Sequence, residues 1–454
     1  MKIKIFVAVL ALSGLTLLCP GCKKYLELKS DSKLLVPGKL NEIQGVLDDV
    51  GQMNNQRSPS YGEACAGDFF IPEIGSLNQL VRDIYVWKKV DYRFPNDWSA
   101  GYLPIYNSNL CLELLDKVPR DSKNSLDWDN VRGSALFFRS YYFYLLTAQF
   151  GLGYDASSSE NDPGIVLRLS SDFNVPSVRS SVGACLRQAI KDLSEASELL
   201  PENPLVLTRP SKAAAYAQLS RIYLYMRDYE KSLIYADKCL KIKSALMDFN
   251  GDSDISGIGL NVPFRKFNKE IVFYSEMANG FSLQAPSTAR IDTMLHASFG
   301  VNDLRRAIYF RPSGKYQQFK GSYSASASLL FTGLATDEVY LNRSECRAWT
   351  GDIGGAMADL NLLLKKRWKG TVIYDPVTAV DKAGALAGIR AERRKELLMR
   401  GLRWGDLKRY NREGLGIRLE RTISGVSYFL EPNASFYALP LPTDIIEIAG
   451  IPQN

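Results

Sequence analysis

Apolar residues recur at helical spacing over several long stretches of this chain. Leu40–Met53 predicts an amphipathic helix, Leu103–Val118 a helix that stops before Pro119, and Val131–Phe150 an aromatic-rich helix. A loop rich in Gly, Ser and Asp is expected over Gly151–Pro163, then an amphipathic helix over Val178–Leu200, ended by Pro201. Lys212–Met226 and Tyr229–Ile242 predict a helix pair turning at Arg227-Asp228. The texture changes between residues 245 and 335, where Gly, Ser, Asn and aromatic residues dominate and short alternating runs such as Glu270–Tyr274 point to a few strands in irregular structure. Helical periodicity returns over Asp337–Trp368 and Leu386–Asn411, and the tail, 413–454, reads as loop with short extended pieces.

Two of these helix pairs carry a repeat. In the first, large residues fall at Tyr216, Leu219 and Tyr223 and small ones at Ser220, Ser232, Ala236 and Cys239. Small residues at those places let two antiparallel helices approach closely, which is the physical content of the tetratricopeptide pattern. A second copy runs from Asp337 through Tyr340 and Ser344, turns at Gly351-Asp352 and continues through Ala356, Leu360 and Leu363. In it, Arg343 and Arg347 take apolar positions. The segments 131–150 and 178–200 are candidates for a third pair, split by the long loop. The expected fold class is mainly α, with tetratricopeptide-like helical repeats and irregular loop-rich insertions.

The start of the chain has its own logic. Lys2 and Lys4 precede an apolar run, Ile5–Leu18, and Gly21 stands directly before Cys22. About 14 apolar positions are too few to span a bilayer, which needs roughly 20. The pattern predicts a lipoprotein signal over residues 1–21, lipid on the Cys22 sulfur, and a body tethered to a membrane outside the cytoplasm. Hydrophobic content of 46% and charged content of 23% suit a folded globular body. The net charge of +7 is spread along the chain without a dense basic run, which argues against nucleic-acid binding. Cys65, Cys111, Cys185, Cys239 and Cys346 are widely spaced, with no C-x-x-C, so small buried residues on helices are expected rather than a zinc site or a disulfide framework. His296 is the single histidine, which disfavours histidine triads and multi-histidine metal sites. No cofactor is expected.

A resemblance emerges from the C-terminal motifs. Ile389, Glu392-Arg393, Glu396-Leu397, Gly401, Arg403 and Asp406-Leu407 fall in one helical stretch, Ile389–Tyr410, and Leu439-Pro440, Glu447-Ile448 and Gln453-Asn454 close the chain. With Trp98–Tyr106, Asn109, the Arg139–Gly151 stretch, the lipoprotein start and the split repeats, the chain resembles the SusD/RagB family of nutrient-binding outer-membrane lipoproteins of Bacteroidetes. The resemblance implies an N-terminal helical-repeat part over 22–242, a loop-rich insertion over 243–335 that forms part of the ligand face, and a C-terminal part over 336–454. It also implies surface exposure, a glycan or other nutrient as ligand, and a TonB-dependent transporter of the SusC type as partner. From the residues themselves, Glu392, Glu396, Arg393, Arg400 and Arg403 read as ion pairs tying a helix to its neighbours, not as a catalytic set.

Sugars are held by apolar ring faces on aromatic side chains and by polar groups on the hydroxyls. Tyr85, Trp87, Tyr92, Phe94, Trp98, Tyr102 and Tyr106 crowd one segment, and Tyr309, Phe310, Tyr316, Phe319 and Tyr323 another. By analogy with the family, the candidate ligand residues are Asp68, Trp87, Tyr92, Trp98, Tyr309, Tyr316 and Tyr323, with Arg82 and Asn96 as polar partners. The competing expectation is that these rings are core; Trp98, Tyr102 and Tyr106 recur every four residues, as on a buried helix face. Two other function classes fit parts of the sequence. One is a tetratricopeptide-type adaptor binding only proteins. The other is a glycoside hydrolase with two carboxylates, for which Asp91, Asp97 and Asp303 lie near aromatic residues without forming a signature.

Overall fold

The computed structural model describes residues 37–454, so Cys22 and the leader lie outside the described residues. Lys39–Asn454 form one compact unit. The stretch expected as one helix is two, α1 (Leu40–Leu47) and α2 (Val50–Met53). Asp49 makes the break: its carboxylate accepts hydrogen bonds from the Gly51 and Gln52 N–H groups and so starts the second segment. Next come α3 (Tyr61–Cys65), the short strand β1 (Phe69–Phe70) and α4 (Gln79–Tyr85). Helix α5 (Asp97–Leu115) begins well before the predicted Leu103, because the Asn96 side chain accepts from Ser99 N–H and caps it. Then follow α6 (Ser125–Phe150), strands β2 (Pro163–Val166) and β3 (Arg179–Ser181), and α7 (Val182–Leu199). The predicted helix from Val178 therefore opens as a strand, with Ser181 capping the true helix start.

The first repeat is α8 (Lys212–Tyr225) and α9 (Tyr229–Ile242). The insertion then carries β4 (Ile271–Phe273), β5 (Arg290–Ile291), α10 (Thr293–Ala297), α11 (Arg305–Ile308), β6 (Phe310–Ser313), β7 (Tyr316–Phe319) and β8 (Leu334–Ala335). All strand pairings are antiparallel and two-stranded: β1 with β5, β2 with β3, β4 with β8, β6 with β7. The second repeat is α12 (Thr336–Trp349) and α13 (Ile353–Arg367), followed by α14 (Lys382–Glu396), α15 (Arg403–Arg412), the hairpin β9 (Leu419–Ile423) and β10 (Val426–Leu430), and α16 (Thr443–Ala449). The stretch Ile389–Tyr410 is thus not one helix. Met399 and Gly401 adopt left-handed backbone, φ 60° and 75°, which ends α14 and re-aims the chain into α15.

The helices pack in sequence order, α5 on α6, α6 on α7, α7 on α8, α8 on α9, then α9 on α12, α12 on α13 and α14. The protein is mainly helical, with tetratricopeptide-like hairpins interrupted by the loop-rich insertion. The two repeats share their turn chemistry. Arg227 and Gly351 hold the left-handed turn position, φ 63° and 92°. Asp228 and Asp352 follow, and each caps its second helix by accepting from the N–H of Lys231 or Gly355. Each pair is also cross-linked between its helices: Ser232 Oγ donates to the Ser220 carbonyl at 2.8 Å, and Ser344 Oγ to the Ala356 carbonyl at 2.7 Å.

The family-like C-terminal motif is spent on ion pairs that fasten α14 and α15. Arg305 donates to Asp303, Glu392 and Glu396; Arg367 bridges Glu396 and Glu270; Arg400 grips Asp337 through both terminal nitrogens. Arg393 meets Asp406, and Arg409 meets Glu345. Such charges tolerate burial only when nearly every lone pair and N–H is matched, since desolvation of one unpaired ion costs several kcal/mol. The five cysteines of the described residues are free and buried.

Candidate functional site

Most of the ring-rich candidates belong to the interior. Trp98 is 4% exposed, packed on Tyr102 and Phe150 at ring separations of 4.8 and 5.2 Å. Tyr92 donates its hydroxyl to the Pro440 carbonyl and sits edge-on to Tyr61 and Phe281. Trp87 donates Nε1–H to the Cys65 carbonyl, and its ring covers the Arg421 guanidinium at 4.7 Å. Arg421 is buried without a carboxylate; Tyr85 and Trp87 rings and the carbonyls of Tyr85 and Ala64, at two helix ends, take that place. Tyr309 is 1% exposed among Phe249, Phe264 and Phe319. Tyr323, equally buried, donates to Glu270 and lies under Arg400 at 4.2 Å. Asp68 is buried against Arg394 at 2.8 Å and Arg403 at 3.8 Å. These side chains have their faces and polar atoms taken by protein neighbours, so none presents a surface to a ligand in this arrangement.

Of the three carboxylates near aromatic residues, Asp97 and Asp303 are buried and similarly engaged, while Asp91 is exposed and accepts from Thr443 Oγ1 at 3.4 Å. Asp97 accepts from the N–H groups of Ser60 and Tyr61 and from Gln149, and Asp303 holds Arg305. Glu270, Asp337 and Glu396 bring ligand oxygens within 4.8 Å of one another, but guanidiniums of Arg367, Arg400 and Arg305 supply the positive charge there. Burial pushes the Glu270 carboxyl up from its ordinary range, while Arg367 and Arg305 hold Glu396 below its own against the same burial. This is the chemistry of a packed ionic core.

Tyr316 differs. It is half-exposed at the rim of a cleft of about 580 Å³ lined by Ile71, Glu73, Ser76, Thr288, Arg290 and Lys315 among others. The local sequence explains the presentation. Ser313-Gly314-Lys315-Tyr316 closes the β6–β7 hairpin with a two-residue loop, Ser313 facing Tyr316 in register. Gly314 has φ 60°, the positive value that the tight hairpin turn needs at its first central position. Lys315 and Tyr316 are thereby held at the tip. Phe70, half-exposed on β1, meets the Tyr316 ring edge-to-face at 4.8 Å, and β1–β5 pairing sets Arg290 directly opposite Phe70. Cross-strand neighbours share a face, so ring and guanidinium stand together. Arg82, on α4, does not line this cleft; it donates to the Gly75 carbonyl and to Gln79.

A second cleft, of about 480 Å³, is lined by Asn55, Gln56, Arg57, Asn96 and Asn279, with Gly280 and others. Its polar side chains are mostly amides; Asn279 donates to Gln56 Oε1 at 2.8 Å, and Arg57 donates twice to the Gly51 carbonyl. Phe94, next to the lining residue Pro95, is 74% exposed. The run 278–290 supplies residues to both clefts. Of the sequence candidates, Tyr316 and Asn96 therefore line clefts, and they line different ones. Glu73, Thr288, Arg290 and Lys315 were not foreseen; the Ser-Gly turn signal within the alternating Arg311–Phe319 run was the available cue. Among the described residues, no helix is long and apolar enough to cross a membrane.

Comparison with known proteins agrees with this architecture. A family model described as starch-binding associating with outer membrane matches residues 24–224, and a SusD family model matches residues 310–438. The chain is similar in fold to a SusD superfamily protein from Bacteroides thetaiotaomicron, with a TM-score of 0.74 at 20% identity over 92% of this chain and 99% of that one. A SusD-like carbohydrate binding protein from Bacteroides vulgatus gives 0.66 at 18% identity over 91% and 97%. A laminarin binding SusD-like protein gives 0.64 at 16% over 91% and 98%. No curated protein matches in sequence. With both halves matched by models of one family and the whole helical array shared with its solved structures, the chain belongs to the SusD/RagB family.

Proposed function

We propose that this chain is a non-enzymatic capture protein. It binds an oligosaccharide, or less favourably a peptide, and delivers it to a SusC-like TonB-dependent transporter in the outer membrane, where lipid on Cys22 keeps the body at the cell surface. The observation that carries the reading is the Tyr316 cleft: a half-exposed ring, held rigidly by a hairpin turn and an edge-on Phe70, among the hydroxyls of Ser76, Ser287, Thr288 and Ser313. A fixed ring face beside hydroxyl partners is how a protein grips a sugar without large ordering cost. The 278–290 run also lines the amide-bearing cleft at Asn96 and Asn279, and exposed Phe94 offers a second ring next to Pro95 of that cleft. Carbohydrate binding by the SusD-like structural relatives supports the same class of ligand. The helical array leaves transport to a partner and supplies it a rigid docking body.

Calorimetry of the mature chain against a glycan panel tests this. Affinity in the micromolar-to-millimolar range, about −8 to −4 kcal/mol, is expected for one class of glycan. Tyr316→Ala should weaken it by about tenfold, near 1.4 kcal/mol. Release of reducing ends from the bound glycan, or binding indifferent to Tyr316, would refute the proposal.

A further inference from the structure

We propose that the oligosaccharide taken at the Tyr316 cleft is anionic, carrying carboxylate or sulfate groups, with Arg290 and Lys315 as the residues that select for it; this rests on the reading that the cleft binds a glycan. The argument is a contrast in how the protein uses its cations. Through the interior and along the repeats, with Arg421 the exception, guanidiniums are matched to carboxylates: Arg139 with Asp192, Arg221 with Glu338, Arg343 with Asp359, Arg409 with Glu345. Around the cleft they are not. Arg290 Nη1 donates to the carbonyls of Pro286, Ser287 and Ala289. Arg82 has a carbonyl and an amide, and Arg311, at the base of the hairpin, has the amide oxygen of Gln318. Lys315 Nζ hangs 5.2 Å from the Tyr316 ring centroid. The one acid lining the cleft is Glu73, and among the described residues neither Arg290 nor Lys315 forms an ion pair with it or any other carboxylate within 4.0 Å.

An exposed lysine alone is ordinarily a solvated surface group. Here one cation stands over the ring that would stack on the sugar, and a second is set on the same side by strand pairing with Phe70. A neutral glycan gains nothing from that arrangement. A carboxylate or sulfate on the sugar meets a guanidinium whose planar fork matches its oxygens, and an ammonium beside it. The excess of positive charge over Glu73 also favours encounter with a polyanionic chain, an effect that salt screens.

The test is calorimetry of the mature chain with oligogalacturonate against its methyl ester, with a carrageenan oligosaccharide against its desulfated form, and with a laminari-oligosaccharide as neutral reference. At about 50 mM salt, where screening is modest, at least one anionic member should bind about tenfold tighter than its uncharged counterpart, and the advantage should shrink as salt is raised. Which pair shows it distinguishes carboxylate from sulfate. The double variant Arg290→Gln with Lys315→Gln should erase the advantage while melting like the parent. Neutral members binding as tightly as anionic ones, with affinity still lost in Tyr316→Ala, would overturn the charge selection and leave glycan capture standing. An anionic advantage unaffected by the double variant would overturn the assignment to these residues. No binding by any member would remove both.

Discussion

The two hairpins of the helical array solve one packing problem with opposite chemistry. Superposed by their turns, they match at Tyr216 with Tyr340, Ser220 with Ser344, and Asp228 with Asp352. Where the first places Tyr223 against Tyr235, stacked at 5.6 Å and capped by Lys231 and Lys238, the second places Arg347 and Arg343 against Asp359. The apolar stack loses little if it loosens, because water can reach half-exposed Tyr235 at its edge on good terms. The ionic set is less forgiving: Asp359 is 5% exposed at its side chain and balances two guanidiniums. A repeat thus keeps its backbone geometry, fixed by turn and small-residue contacts, while the content of the helix interface changes freely.

The sharpest way to break the second hairpin is Asp359→Ala, which leaves Arg347 without its closest partner and Arg343 with only Asp237. A loss of about 3 kcal/mol is expected in urea unfolding; a change as small as that of a surface substitution would mean the ion pairs carry no weight.

Glu63 sharpens the same point from the other side, being a buried carboxyl with no guanidinium hydrogen-bonded to it. Its Oε2 accepts from Gly401 N–H at 2.8 Å, and burial, reinforced by Asp68, pushes it up to about 8. A folded-state value raised above the ordinary one near 4.5 stabilises the fold below that ordinary value. The contribution is lost as pH rises through about 8. The parent should lose on the order of 4 kcal/mol between pH 5 and pH 9, and Glu63→Gln should flatten that slope. Identical pH profiles for the two proteins would contradict the buried neutral state.

Transplanting the first chemistry into the second hairpin, as Arg343→Leu with Arg347→Tyr and Asp359→Tyr, should shift stability by no more than about 1.5 kcal/mol in either direction, since a buried ion pair exchanged for packed apolar groups is often near neutral. Thermal melts decide it. The smallest effect belongs to the shared contact. Ser344→Ala removes one buried hydroxyl bond and Ser232→Ala the equivalent carbonyl bond plus a contact with Ser220 Oγ at 3.2 Å; each should cost about 1 kcal/mol, Ser232→Ala no less than Ser344→Ala. No loss in either variant would show that these bonds do not tie the hairpins.

The hairpins were legible along the chain because their signal is local. Small residues at fixed spacing, an Asp after a turn residue and apolar positions on one face all act within a few turns of helix. The break at Met399–Gly401 was not legible: the stretch is a good helix by composition, and only the need to seat α15 beside α3 ends it. Of the candidate ligand residues, Tyr316 and Asn96 line clefts, one in each. Trp87, Tyr92, Trp98, Tyr309 and Tyr323 look identical to a ligand platform in sequence, since a ring that stacks on sugar and a ring that fills a core share the same apolar face. What separates them is whether another part of the chain, often hundreds of residues away, has already taken that ring, as Phe281 has for Tyr92 and Arg421 for Trp87.

By itself, then, the order of residues determined the helical class, the paired repeats with their turns and caps, and the ionic character of the C-terminal motif, because each depends on periodicity or on contacts between near neighbours. Tertiary structure alone decided which rings meet solvent, which carboxylates are paired, and that the Gly314 turn brings Lys315 and Tyr316 beside Arg290 from a separate strand, because burial and charge balance are sums over segments that only folding brings together.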